Sequence, residues 1–248
     1  MSFRERLRDG ALLTGTWVKT PSPIVVEVLA LSALDCLVLD AEHAPFDRAS
    51  LDLCLLAGRA GGKTMLVRPP TAAPEHILNA LDCGADGVVL PHIASVADAE
   101  AAVRACRYVS GGRGYAGSSR AAGYSTRGMA AHRTAAAAIT VIAQIEDIGG
   151  VEAIDAIARV EGIDALFIGR ADLTISYDAA TADDAVIVAA VERICAAGAA
   201  AKRTTGMFLG RVDDVPQWRA RGASLFILGS DHEFLLQGAA RLAAAIAR

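Results

Sequence analysis

Aromatic residues make up only 5% of this 248-residue chain, and there is no basic excess: 24 Lys and Arg face 28 Asp and Glu, a formal charge of −4. A nucleic-acid binder usually shows a strongly basic domain or face, so that class is disfavoured. No run of about 18 uninterrupted apolar residues occurs, and no segment reads as a bilayer span. The charged start MSFRERLRDG has no apolar stretch behind it and does not read as a secretory signal, so a cytoplasmic protein is expected. Cysteine is sparse and unpatterned. Cys36, Cys54, Cys83, Cys106 and Cys195 are odd in number and include no C-x-x-C pair, which argues against a disulfide framework or zinc knuckle. They read as small buried hydrophobes.

What the chain has is apolar residues, 53% of the total, in two alternating kinds of segment. Short β-branched runs read as strands over 13–19, 36–40, 64–68, 87–91, 140–146, 165–169, 205–209 and 224–229. Ala- and Leu-rich amphipathic stretches between them read as helices over 24–33, 48–60, 74–83, 96–108, 151–159, 184–198, 215–221 and 234–247. The strands are near-continuously apolar, as in a parallel sheet covered by helices. Eight βα units in series without a linker predict a single (β/α)8 TIM barrel over residues 1–248. A doubly wound sheet is the rival, but the first turn is Thr20-Pro21-Ser22-Pro23 and lacks the G-x-G-x-x-G fingerprint. One connection, 109–127, is long and glycine-rich, a pattern more often functional than accidental.

Barrel enzymes work at the C-terminal ends of their strands. There the second strand ends in Asp40-Ala41-Glu42-His43, the third in Arg68-Pro69, the fifth in Gln144-Ile145-Glu146 and the sixth in Gly169-Arg170-Ala171-Asp172. Asp40, His43, Arg68, Glu146 and Asp172 are therefore aimed at one mouth. Unpaired, each buried charge would cost several kcal/mol. They must compensate one another or hold an ion, and two carboxylates without cysteine suit a hard dication such as Mg2+ or Mn2+. Each residue taken alone has a plainer reading: Asp40 and Asp172 as helix caps, Arg68 in a structural ion pair, Glu146 paired with Arg170. Those readings weaken because they must hold together on four strands. Lys19, near the end of the first strand, is the sole and awkward Schiff-base candidate. His92, ending the fourth strand, either lines the pocket or is a satisfied structural histidine.

The runs Asp40-Ala41-Glu42-His43-Ala44-Pro45, Val67-Arg68-Pro69, Gln144-Ile145-Glu146 and Ile168-Gly169-x-Ala171-Asp172-Leu173 resemble the signatures of the class II, metal-dependent pyruvate aldolases. These are the 4-hydroxy-2-oxoheptanedioate and 2-dehydro-3-deoxyglucarate aldolase type of the aldolase/citrate lyase superfamily. The resemblance implies cleavage or formation of 4-hydroxy-2-oxo acids from pyruvate enolate and an aldehyde. It implies Glu146 and Asp172 as ligands of Mg2+ or Mn2+, with Co2+ also admitted. Gln144 and the amides near Ala171 and Asp172 are implied to hold the substrate, Arg68 to stabilise the enolate oxygen, and His43 to act as acid/base with Asp82 raising its basicity. Asp40 is counted with this catalytic set. The resemblance also implies a homo-oligomer, a hexamer of dimers that exchange the last helix, with Asp82 supplied across a subunit boundary. Related enolate chemistry, of the citryl- or malyl-CoA lyase or citrate synthase kind, is the alternative activity, and a non-catalytic barrel the other.

Three positions depart from the family pattern. Arg170 stands where Pro is usual beside the proposed ligand Asp172, Ala41 replaces a Gly, and the stretch 174–182 has its own composition. Arg170 either opposes the cation or turns outward. The arginines of the 109–127 loop are expected to meet a carboxylate on the acceptor. His76, His132 and His232 read as surface or packing residues, and Trp17 as a core aromatic that floors the site.

Overall fold

The computed structural model describes residues 1–246. Helix α1 (Phe3–Arg8) precedes β1 (Leu13–Val18), and α2 (Pro23–Ala30) leads to β2 (Cys36–Asp40). The next units are α3 (Arg48–Ala60) with β3 (Thr64–Arg68), and α4 (Pro74–Asp82) with β4 (Gly87–Leu90). Helices α5 (Val96–Ala105) and α6 (Met129–Ala136) flank the long connection to β5 (Thr140–Ile145). The short α7 (Ile148–Glu152) and α8 (Ile154–Ile157) lead to β6 (Ala165–Ile168). Then come α9 (Arg170–Ser176), α10 (Ala185–Ala200), β7 (Thr204–Leu209), α11 (Val215–Ala220), β8 (Ala223–Ser230) and α12 (Asp231–Ile246). All eight strands are parallel and close in chain order into a barrel, as the alternating pattern predicts.

Side chains alternate between two cores. Val18, Leu37, Leu39, Val67, Val88 and Ile168 face outward under the helices. Inside, Trp17, Val38, Leu66, Val89, Ile142, Phe167 and Ile227 fill the barrel as packed layers. Helix α1 closes the N-terminal end of the barrel: Leu7 is fully buried in the interior cluster, and Arg4 and Arg8 pair with buried Asp164 at 2.9 and 3.0 Å. Ser2 starts α1 with a capping box, in which its hydroxyl accepts from the Glu5 amide and Glu5 accepts in return. Asp47 and Ser50 do the same for α3, and Pro23 and Pro74 open α2 and α4, where a missing N–H costs nothing.

Helix α12 differs from the rest. Only Asp231 is buried along it, while Phe234, Leu235, Leu236, Leu242 and Ile246 are exposed. Ala247, which the sequence pattern assigns to this helix, lies outside the described residues. No described helix is long and apolar enough to cross a membrane.

Candidate active site at the barrel mouth

Register places the site. Asp40 and Arg68 are Cα partners at the C-terminal ends of β2 and β3, so their side chains emerge at one level. Both Nε and Nη2 of Arg68 donate to Asp40 Oδ1, at 3.0 and 2.8 Å. Arg68 lies over the Trp17 ring, 4.3 Å from guanidinium carbon to centroid, and Trp17 in turn packs edge-on against Phe167. Lys19 approaches Asp40 Oδ2 at 3.3 Å, which contributes charge rather than a directed hydrogen bond: Oδ2 has no hydrogen-bond donor. Glu42 likewise brings Oε2 to 3.2 Å from Arg68 Nε without a directed bond. Asp40 also accepts from the His43 amide at 3.2 Å within the turn that follows β2, while Asp47 caps the next helix, so the helix-cap reading of Asp40 is corrected. Lys19 is thereby engaged as a counter-ion.

Across the mouth, Glu146 follows β5 and is almost fully buried. Its Oε2 accepts from the Gln144 amide nitrogen, and its Oε1 accepts from the His92 amide at 2.6 Å. Asp172 stands in the first turn of α9, whose N-cap is Gly169. A methyl placed on Gly169 would lie 2.7 Å from Glu146 Cβ, 3.0 Å from Glu146 Oε2 and 3.4 Å from Asp172 Oδ2. Both carboxylates therefore border the same small space, which the lack of a side chain at residue 169 leaves open. Burial pushes the Glu146 carboxyl up, and the charge of Asp172 pushes the same way, against the hydrogen bonds from Gln144 and His92.

The donor set fits a dication. Asp40, Glu42, Glu146 and Asp172 face the two permanent cations Arg68 and Lys19, which leaves two negative charges at the mouth. Buried oxygens Gln144 Oε1, Glu42 Oε2 and Asp40 Oδ2 lack hydrogen-bond partners. Uncompensated buried charge of this kind is costly unless a cation is supplied. The carboxylate donors are oxygens, as hard metals prefer, and a His92 ring nitrogen lies within reach of Glu42 and Glu146 beside them.

Arg170 resolves outward. Its Nη2 donates to the Ala182 carbonyl at 2.7 Å and to Asp183 at 3.0 Å, and its guanidinium lies 4.9 Å over the Trp218 ring. It does not pair with Glu146, and its charge is spent on the segment 174–184. His43 is half exposed, with its ring 3.8 Å from Glu42. His132 is buried in packing with Tyr108, and His76 and His232 lie near the surface, as the sequence suggests.

Two features lie elsewhere. Asp82 ends α4, which runs from the mouth back to the N-terminal end of the barrel, and there pairs with Arg113 at 2.5 Å. Within one chain it does not sit beside His43. The 109–127 loop belongs to the same far end: Arg120 binds Asp52 and packs against Gly84. The expectation that its arginines meet the acceptor at their own chain's mouth is corrected. A connection from a helix to the next strand starts where the helix ends, at the N-terminal face. A cleft of about 610 Å3 opens there, but each of its cations Arg113 and Arg120 already has a carboxylate partner, Asp82 and Asp52, and among the described residues Asp86 is the one carboxylate that lines it.

Sequence reasoning missed Glu42 as a site residue, although it stands two residues after Asp40 in the same motif. Its position between Arg68 and His92 was the missing information.

Comparison with known proteins agrees with this geometry. Residues 13–237 match the family model described as HpcH/HpaI aldolase/citrate lyase. A hydroxypyruvate/pyruvate aldolase of Paraburkholderia phytofirmans is 34% identical over 246 residues, covering 95% of this chain and 93% of its own. A 5-keto-4-deoxy-D-glucarate aldolase of Shigella dysenteriae is 33% identical, covering 92% and 90%. A crystal structure of an HpcH/HpaI aldolase/citrate lyase family protein from Burkholderia cenocepacia superposes with a TM-score of 0.94 at 33% identity, covering 99% and 98%. The chain belongs to the HpcH/HpaI aldolase/citrate lyase family and is an aldolase, an enzyme of the carbon–carbon lyase type.

Proposed function

We propose that the protein makes and cleaves 4-hydroxy-2-oxo acids, joining the enolate of a small 2-oxo acid, pyruvate or hydroxypyruvate, to an aldehyde. The observation that carries this reading is the convergence of Glu146 and Asp172 on the space beside Gly169. These two carboxylates would hold Mg2+, Mn2+ or Co2+, and the ion would supply Lewis-acid polarisation of the keto oxygen. Gln144 and the first-turn amides of α9 at Ala171 and Asp172, which have no acceptor within the helix, orient the substrate carboxylate.

Cleavage requires a base at the C4 hydroxyl and a positive group where charge develops. His43 takes the hydroxyl proton, because imidazole exchanges protons near neutral pH and this ring is open to the mouth. As the C3–C4 bond breaks, its electron pair moves onto the keto group. Arg68, locked by Asp40 and stacked on Trp17, faces that oxygen without needing to reorganise. Returning the proton to C3 gives the 2-oxo acid and frees the aldehyde. The aldolase-named relatives favour an aldehyde acceptor over the citryl- or malyl-CoA and citrate synthase alternatives.

Asp82 serves His43 in this reading across a subunit boundary, in a homo-oligomer built from dimers that exchange α12 and that reaches a hexamer. The exposed apolar face of α12 and the position of Asp82 far from its own mouth support it. A cytoplasmic setting belongs to the same reading and suits five unpaired, buried thiols.

Protein incubated with pyruvate, an aldehyde and Mg2+ or Mn2+ should give aldol adduct by chromatography, and excess chelator should abolish it. Full activity in chelator would reject the role of the dication.

A further inference from the structure

His92 follows Pro91 at the end of β4 and is held with a φ of +57°, a left-handed backbone uncommon for a residue with a side chain. Such strain costs on the order of 1 kcal/mol or more and persists only where its surroundings impose it. Here it does two things. It turns the His92 amide onto Glu146 Oε1 at 2.6 Å, and it stands the ring in the mouth between two carboxylates. Nδ1 lies 3.0 Å from Glu146 Oε1 and Nε2 lies 3.0 Å from Glu42 Oε1.

A neutral imidazole has one N–H and one lone pair. With a carboxylate oxygen 3.0 Å from each nitrogen, one of the two contacts would set lone pair against lone pair. A second proton on the ring would relieve this, and so would a cation on one side, which the metal reading of the mouth supplies. The neighbours of the two carboxylates decide which. Adjacent donors of an octahedral ion, at metal distances of ~2.1 Å, lie roughly 3.0 Å apart; both ring nitrogens show that spacing to a carboxylate, but it is Glu146 that borders the space beside Gly169 with Asp172. On the other side Nε2–H meets Glu42, whose head group is more than nine-tenths buried and whose Oε2 lacks a hydrogen-bond partner. A ligating histidine ordinarily donates its second N–H to a carboxylate, which fixes tautomer and ring plane. Charge agrees: the two negative charges left at the mouth match one dication.

We propose that His92 is a nitrogen ligand, through Nδ1, of the same dication that Glu146 and Asp172 hold, with Glu42 as the positioning residue behind it. The inference rests on the metal reading of the site and deepens it. A neutral nitrogen donor raises affinity for Mn2+ and Co2+ more than for Mg2+, since the borderline metals favour imidazole and Mg2+ favours oxygen. The strained φ and the Glu42 contact then serve metal choice as well as metal retention.

The test is electron spin-echo envelope modulation of Mn2+ bound to the full-length protein, without substrate. Directly coordinated imidazole should give 14N modulation that changes when histidine is labelled with 15N. His92→Asn, chosen because Asn tolerates a left-handed backbone, should lose that modulation. By titration calorimetry it should bind Co2+ about 10- to 100-fold more weakly, with a smaller loss for Mg2+. Glu42→Gln should keep the modulation and lower affinity. Mn2+ bound tightly with no 14N coupling, or coupling that survives in His92→Asn, would overturn the assignment and leave the carboxylate site standing. Failure of the wild-type protein to bind Mn2+ at all would overturn both.

Discussion

In the proposed reaction Arg68 is a single side chain made ready for charge that develops only as the bond breaks. Two of its nitrogens are held by Asp40 and its face rests on Trp17, so its fork has one orientation. Arg68→Ala should lower kcat about 100- to 1000-fold. Arg68→Lys should recover little, since a point ammonium reproduces neither the fork nor the stacking. Steady-state kinetics decides this, and near-normal kcat in the lysine variant would reject the role of the fork. Gly169 gives a second expectation: in Gly169→Ala the new methyl would meet Glu146 Cβ at 2.7 Å, so dication affinity should fall at least tenfold while the fold survives. Calorimetric titration with Mn2+ checks it, and unchanged affinity would show that the space beside residue 169 is not the ion's. At this scale the sequence revealed the polar ends of β2, β3, β5 and β6, because polar residues after an apolar strand are conspicuous. It did not reveal the engagement of His92, which depends on a backbone handedness that Pro91-His92 does not announce. Nor did it settle Arg170, whose direction is fixed by Trp218 and Asp183, distant in sequence.

Elements were legible where period and capping agreed, as in α3 with its Asp47 cap and α4 with its opening proline. Three helices escaped. α1 and α6 are short and lie outside the βα repeat, and α9 begins only one residue, Gly169, beyond β6, where the chain reads as a strand end. The last junction carries the clearest energetic argument. Asp231, buried where β8 turns into α12, accepts from the Lys19 and Thr20 amides, both at 2.9 Å, and so ties the end of the barrel to the exit of β1. Burial pushes its carboxyl up, but the hydrogen bonds from Thr20 and Lys19 outweigh it and the net shift is downward from 3.8. A carboxyl lowered in the folded state adds stability above its ordinary pKa, and that stability is lost as pH falls through the folded value. Asp231→Ala should therefore cost about 3 kcal/mol at neutral pH. The difference from wild type should shrink below about pH 4. Urea unfolding at pH 7 and pH 3 measures it, and an equal penalty at both would separate the effect from ionisation.

At the scale of the whole molecule, α12 has no counterpart among the other helices. It touches the barrel mainly through β1 and β8, and Leu235, Leu242 and Ile246 stand at i, i+7 and i+11, an exposed apolar stripe. Along α2 and its C-cap, Ile24, Val28 and Leu31 form a second stripe at i, i+4 and i+7. A monomer would leave both in water, at roughly 25 cal/mol for each Å2 of apolar surface, whereas a partner's helix would cover them. The proposed exchange of α12 would link assembly to catalysis, because in that reading the same oligomer brings Asp82 to a neighbour's His43. Leu235→Glu combined with Leu242→Glu should leave the barrel folded by circular dichroism, reduce the mass seen by light scattering, and lower kcat together with it. A sharper form separates assembly from chemistry. Asp82→Asn and His43→Asn, each inactive alone, should regain activity when mixed under conditions that let subunits exchange, because some mouths then combine an intact His43 with a neighbour's intact Asp82. Silence in the mixture, with exchange verified by mass, would confine Asp82 to its pairing with Arg113 and leave His43 to work without it.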